Sequence, residues 1–275
     1  MILLVGKNSF LAREFLVSAP DLQIRAISHT EIEDEAHRSD VDCVVNFSFS
    51  PSLHVSDYHQ SADIDLHLAN FAVKHQCHYV MLSSRKVYQA DIQWGAREEA
   101  QTQGADVYGK NKLRIERELL SLLRDRLTIL RPGNVFGYET QRNRKRFGAY
   151  LLNQLVTSGD IHLTVNPFIR RDVVPVDFFN EVLRSVLLRR PVGVFNVGAG
   201  EAVEIGRVAI WLIQGFGSGR LIVDSPTEMD EFWLDSSRLA AELGMYCGAA
   251  RVAEFTKAIG ARLRAEVSSG KSTDR

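Results

Sequence analysis

The 275-residue sequence has no surplus of charge: 33 lysines and arginines stand against 34 aspartates and glutamates, a formal net charge of -1. Without a general excess of cation to neutralise a phosphate backbone, nucleic-acid binding leaves the list of expected functions, and only a local anion pocket stays open. Long hydrophobic runs are also missing. No stretch approaches the roughly 20 apolar residues that cross a bilayer, and Met1 leads into Ile2-Leu3-Leu4-Val5 without a basic n-region or cleavage site. A cytoplasmic protein with no membrane partner is the expectation. Cysteine is scarce: Cys43, Cys77 and Cys247 lack the paired spacing of a zinc knuckle or a disulfide framework and read as reduced, buried thiols. There is no internal repeat and no low-complexity tract.

What is present, 45% hydrophobic and 24% charged residues, is the composition of one soluble globular unit. Ile2–Val5 is wholly apolar and β-branched at both ends, which fits a parallel strand buried on both faces. A glycine follows it, and then Phe10, Leu11, Phe15 and Leu16 recur at helical spacing until Pro20 closes the segment. The alternation continues with strands expected at 22–27, 41–47, 79–82 and 127–130 and helices at 62–74 and 107–123. Further along, a helix is expected at 147–157, strands at 173–176 and 194–197, and helices at 205–213 and 252–264. Such alternation implies an α/β fold whose parallel sheet is covered on both sides and binds ligands beyond the carboxyl ends of its strands.

Residues just after the strands therefore carry the chemistry. The turn Gly6-Lys7-Asn8-Ser9-Phe10-Leu11-Ala12 has the spacing of a dinucleotide-binding loop, although only one of three glycines remains. Ala12 still permits close helix packing, whereas Ser9 puts a side chain where backbone would approach a phosphate. An ordinary tight strand-to-helix turn is the competing reading. Tyr108 and Lys112 lie four apart on one helix, so they share a face, and an ammonium beside a phenol favours its ionised form. Chance produces such pairs often enough that context must decide. Upstream, the strand 79–82 ends in Ser83-Ser84 at the sheet edge where ligands bind, so a serine, a tyrosine and a lysine converge.

With those residues in place the chain resembles the extended short-chain dehydrogenase/reductase family, the nucleotide-sugar epimerases, dehydratases and reductases. The resemblance includes SSRKVY at 83–88, LRPGNVFG at 130–137, RRDVVPVD at 170–177, FNVGAG at 195–200 and LDSSRLAAELG at 234–244. It implies a Rossmann-type doubly wound parallel sheet with a small C-terminal substrate-binding lobe. The dinucleotide domain would be 1–138 with a returning segment 172–199, the lobe 139–171 and 200–266, and 267–275 a flexible tail. By the same resemblance Tyr108 is the acid/base, Lys112 its partner and ribose anchor, and Ser84 rather than Ser83 the donor to the reacting oxygen. Gly6, Asn8, Ser9, Phe10 and Leu11 would line the pyrophosphate, Phe47 and Ser48 would border the cofactor, and Pro132 would sit against the nicotinamide. Ser84, Arg85, Asn134 and Arg171 would hold the substrate, the arginine fork at 171 taking its diphosphate. A homodimer is compatible with the resemblance.

Departures from the family pattern narrow the reading. Dehydratases of the family carry an aspartate-glutamate pair where Arg85-Lys86 stands here. The opening GKNSFLARE resembles the deoxysugar 4-keto reductases such as dTDP-4-dehydrorhamnose reductase, and Thr30-Glu31-Ile32-Glu33-Asp34 resembles their adenine-side segment. An NAD(P)H-dependent 4-keto reductase is thus the leading expectation, with a nucleotide-sugar 4-epimerase and a non-catalytic dinucleotide-binding regulator as alternatives. Ser28, His29 and Thr30 at the end of the second strand offer no carboxylate to the ribose, so NADP(H) is expected to be tolerated beside NAD(H). His54, His59, His67, His75 and His78 crowd one region without the spacing of a helical zinc site, and no metal is expected. The cluster Arg142 to Arg146 reads equally as a diphosphate contact or a solvated loop. Trp94, Trp211 and Trp233 read as packing residues.

Overall fold

A run of apolar residues with no polar face has to be buried on both sides, and strand β1 (Ile2–Val5) is buried along its whole length. In the computed structural model, which describes residues 1–35, 40–139 and 147–269, β1 lies inside a six-stranded sheet with β2 (Ile24–Ile27), β3 (Cys43–Asn46), β4 (His78–Leu82), β5 (Leu127–Pro132) and β6 (Gly193–Val197). All are parallel, in the order β6-β5-β4-β3-β1-β2. Successive side chains of β1 feed different layers. Ile2 and Leu4 join a core with Phe15 of helix α1 (Phe10–Ser18), while Leu3 and Val5 join one with Leu68 of α2 (Ile64–His75) and Ile115 and Leu119 of α3 (Val107–Leu123). The sheet is therefore covered on both faces, as the alternation of elements implies, and its doubly wound Rossmann-type α/β architecture is the one the resemblance implies.

The chain leaves β1 toward β2 on one side and returns to β3 on the other, so the winding reverses between β1 and β3. Such a switch point is where open α/β sheets bind ligands. The stretch 28–42 between β2 and β3 is too short for a helix and another strand, and its described part forms two single-turn helices, His29–Glu31 and Glu33–Glu35. Helices α4 (Phe147–Thr157), α5 (Val176–Arg189), α6 (Ile205–Phe216), α7 (Ser237–Leu243) and α8 (Gly248–Ser268) complete the described fold. The apolar faces of α4, α6 and α8 extend the core that covers the Ile2 side of the sheet.

Several expectations need correction. The 14-residue α5 has no counterpart among the expected helices, although Phe178, Phe179, Val182, Leu183, Val186 and Leu187 recur at helical spacing on its buried face. A parallel strand pair, Ile161–Val165 with Leu221–Thr227, was also not expected. Helix α8 is longer at both ends than the expected 252–264, so 267–268 belong to it rather than to a tail. The Arg142 to Arg146 cluster and positions 270–275 lie outside the described residues. All three cysteines are free and buried, as their spacing suggested. No described helix is long and apolar enough to cross a membrane.

One buried polar network ties α3 to the sheet. Glu116 accepts Arg131 Nε at 3.0 Å and Nη2 at 2.6 Å, and also takes the Ser83 hydroxyl. Arg131 Nη1 reaches the Tyr88 hydroxyl at 3.0 Å, which donates to Asn196 Oδ1 at 2.7 Å. Replacing Glu116 alone leaves a buried guanidinium uncompensated, so Glu116→Gln is expected to lower the unfolding free energy by about 3–5 kcal/mol. The double variant Glu116→Leu/Arg131→Met, which leaves no charge, should cost clearly less. Denaturant unfolding of both checks this, and an equal loss would assign the effect to packing.

Candidate active site

Gly6 ends β1 at φ +93°, and a Cβ there would stand 2.6 Å from Ser48 Oγ and 2.9 Å from Ser48 N. Only glycine fits where the loops after β1 and β3 touch. The second glycine position of the motif needs no glycine: Ser9 sits at φ −70° and caps α1, its hydroxyl accepting Ala12 N at 3.2 Å. Ser9, Phe10 and Leu11, at the start of α1, line the cavity beyond the strand ends, where a helix N-terminus suits an anion.

After β4 the two serines part, as neighbours in extended chain do. Both line the cavity, but the Ser83 hydroxyl is taken by Glu116, while the Ser84 hydroxyl accepts Lys86 N at 3.2 Å. Helix α3 comes directly against this turn because Gly109 has no side chain; a Cβ there would lie 2.0 Å from Lys86 O. That approach, with Asp106 capping α3 through Gly109 N at 2.8 Å, brings Tyr108 and Lys112 to the same cavity as Ser84. Lys112 is buried: its ammonium donates to Leu82 O at 2.8 Å and to Asp65 Oδ2 at 3.3 Å. The Tyr108 ring stacks on His54 at 4.9 Å and meets the edge of Phe49 at 5.1 Å.

The cavity holds about 810 Å³, and Ser9, Phe10, Leu11, Phe47 and Ser48 line it on the β1 and β3 side. Ser84, Tyr108, Lys112, Pro132 and Asn134 line it on the other. His29 and Ile32 line a second cavity of about 580 Å³. Gly6 and Asn8 form the turn without lining either cavity. Arg85 and Arg171 stand apart from the lining and stack on the Phe232 ring, at 3.3 Å and 4.6 Å from its centroid. Burial, and then the charge of Arg171, lowers the Arg85 guanidinium to about 10. Sequence reasoning missed Phe49, His54, Lys86 and Glu139 in the cavity wall, and Asp65 behind Lys112. Asp65 had a signal, since it shares the buried face of α2 with Leu68, Ala69 and Ala72.

Asp172 explains why distant motifs occur together. It is buried, accepts Ala199 N at 2.8 Å and Leu234 N at 3.2 Å, and leaves no room for a Cβ at Gly133 or Gly198, which would lie 2.9 Å and 2.5 Å from its Oδ2. Segments 130–137, 170–177, 195–200 and 234–244 thus meet at one carboxyl, which burial raises to about 6. The histidines disperse: His67 pairs with Glu33 at 3.2 Å, His78 with Thr128 at 2.7 Å, and His75 packs on Phe71 at 4.3 Å. Trp94 is 66% exposed and stacks on Trp233, so it packs at the surface rather than in the core.

The family model for the NAD dependent epimerase/dehydratase family matches residues 20–198. The chain belongs to that family. Its members are NAD-dependent enzymes of the extended short-chain type. Among solved structures, UDP-N-acetylglucosamine 4-epimerase from Bacillus cereus is similar with a TM-score of 0.79 at 19% identity, over 96% of this chain and 99% of that one. RMD from Pseudomonas aeruginosa, complexed with NADPH, gives 0.78 at 14% identity over 96% and 99%. The dTDP-4-dehydrorhamnose reductase from Yersinia enterocolitica gives 0.71 at 12% identity over 93% and 98%. At these identities the likeness is one of fold. No curated protein matches the chain.

The residues of this epimerase/dehydratase family member fit a nicotinamide dinucleotide: Ser9, Phe10 and Leu11 at the start of α1 and Phe47 and Ser48 after β3 form one cradle at the strand ends, open to Tyr108 and Lys112. One expectation about that cradle is overturned: a carboxylate does stand at the end of β2. Glu31 folds back in a capping box onto Ser28 N at 2.5 Å and pairs with Lys7 Nζ at 2.7 Å. Lys7 and the Ser28 amide hold its carboxyl below the usual range. Lys7 is therefore engaged rather than available to a 2′-phosphate. Glu31→Gln should release Lys7, remove the repulsion and raise the ratio of kcat/KM for NADPH over NADH on the order of tenfold. Steady-state kinetics with both cofactors checks this, and an unchanged ratio would place the adenosine ribose elsewhere.

Proposed function

We propose that the protein is an NAD(P)H-dependent reductase of the 4-keto group of a nucleotide-activated deoxysugar. The observation that carries this reading is the convergence of Ser84, Tyr108 and Lys112 on one cavity that Pro132 and Asn134 also line. The dinucleotide, when bound, supplies the hydride. Ser84 donates a hydrogen bond to the keto oxygen and orients it, and Tyr108 passes its phenolic proton to that oxygen as the carbonyl becomes a carbinol. Lys112, one helical turn on, stabilises the phenolate left behind and anchors the ribose. Gly6, Asn8, Ser9, Phe10, Leu11, Phe47 and Ser48 serve the pyrophosphate and its surroundings, while Ser28, His29, Glu31 and Ile32 serve the adenosine end. Arg171, beside Arg85 on Phe232, takes the substrate diphosphate from the segments 139–171 and 200–266, which act as the substrate lobe.

Arg85-Lys86 supports reduction over dehydration, because a cation pair stands where dehydratases of the family carry their acid and base. Lys86 is tied to Asp106 at 2.5 Å. A panel of 4-keto sugar nucleotides with NADH and NADPH tests the reading through consumption of the reduced cofactor. Tyr108→Phe should lower turnover on the order of 10²-fold or more with cofactor affinity nearly unchanged. Near wild-type turnover in that variant would remove Tyr108 from the acid's place. Cofactor retained through purification, with no net consumption, would mark a 4-epimerase.

A further inference from the structure

The Lys112 ammonium has three N–H donors. Leu82 O and Asp65 Oδ2 take two of them, and the remaining side is covered by the Phe49 ring, whose centroid lies 4.3 Å from the nitrogen. The Phe49 ring also meets Tyr108 and His54 edge-on, at 5.1 Å and 4.9 Å. Among the described lining residues it is the one shared by the two cavities of about 810 and 580 Å³. A dinucleotide spanning from the adenosine end to the nicotinamide end has to pass this point.

We propose that Phe49 is an internal competitor for Lys112, a positioning residue that sets how tightly the dinucleotide is held. This rests on the reading of Lys112 as the ribose anchor. The ring occupies the side from which a ribose hydroxyl would accept the third N–H, so it has to rotate aside for that bond to form. The backbone beneath it does not need to move. Asn46 Oδ1 accepts Ser48 N at 2.8 Å while Asn46 Nδ2 donates to Asp65 at 2.7 Å, which fixes the start of the loop. A cation over a desolvated ring and a charge-assisted hydrogen bond are comparable in strength. The closed position therefore weakens cofactor binding in proportion to its population without abolishing it. A cofactor held this way exchanges readily, as a reductase requires and an epimerase does not.

Fluorescence titration of NADH and NADPH into the full chain, without substrate, tests the proposal. Phe49→Ala should lower the cofactor Kd on the order of tenfold. Phe49→Leu, which keeps the apolar bulk without a π face, should move it the same way by less. In a Lys112→Met background, where nothing is left to compete for, Phe49→Ala should leave Kd unchanged. An unchanged or weaker Kd in both Phe49 variants with Lys112 present overturns the proposal, as does a gain that persists in Lys112→Met. If Lys112→Met alone binds as tightly as the wild type, the ribose-anchor reading itself fails, and the competition falls with it.

Discussion

A lysine ammonium with only 4% of its side chain exposed has to be compensated on the spot, and the candidate site is arranged around that requirement. Lys112 is met by Asp65, itself 2% exposed. The cost of burying both charges is offset only if the remaining lone pairs are filled. They are: Asp65 Oδ1 accepts Asn46 Nδ2 at 2.7 Å and the Tyr79 hydroxyl at 2.8 Å. Asn46 in turn fixes Ser48, and Ser48 is the group that leaves no room for a side chain at Gly6. One chain of contacts thus joins α3, α2, β3 and the end of β1.

A second buried carboxylate, Glu116, lies four residues further along α3 and makes the corresponding attachment to Arg131 on β5. Between them the two ion pairs fix the rotation of α3 about its axis, which decides where Tyr108 points. Gly109 fixes its distance from the turn carrying Ser84. The serine, tyrosine and lysine come from two elements far apart in sequence, and tertiary contacts of these kinds bring them to one cavity.

Much of this was legible locally. Helix α3 and its Tyr108/Lys112 face follow from periodicity, whereas the choice of Ser84 over Ser83 came from the family resemblance. Ser28-His29-Thr30-Glu31 even has the spacing of a capping box, but the helix it caps is a single turn without periodicity to announce it. The return of Glu31 to Lys7 was missed for that reason. Phe49 over Lys112 could not be read from spacing, because it depends on how the loop after β3 meets a helix more than fifty residues later. The strand order and the meeting of four motifs at Asp172 are likewise products of tertiary packing. The missed helix α5 is a different case, since its apolar period was present in the sequence.

The central claim, reduction at a 4-keto carbon by hydride from the bound dinucleotide, is tested most directly by isotope transfer. A 4-keto deoxysugar nucleotide is incubated with NADPH or NADH carrying deuterium on either face of nicotinamide C4, and the product sugar is analysed by mass spectrometry and NMR. The account predicts one deuterium at the new carbinol carbon from one face of the reduced cofactor, with oxidised cofactor formed in equal amount. Product without deuterium, or sugar nucleotide inverted at that carbon with no net oxidation of the cofactor, would contradict it.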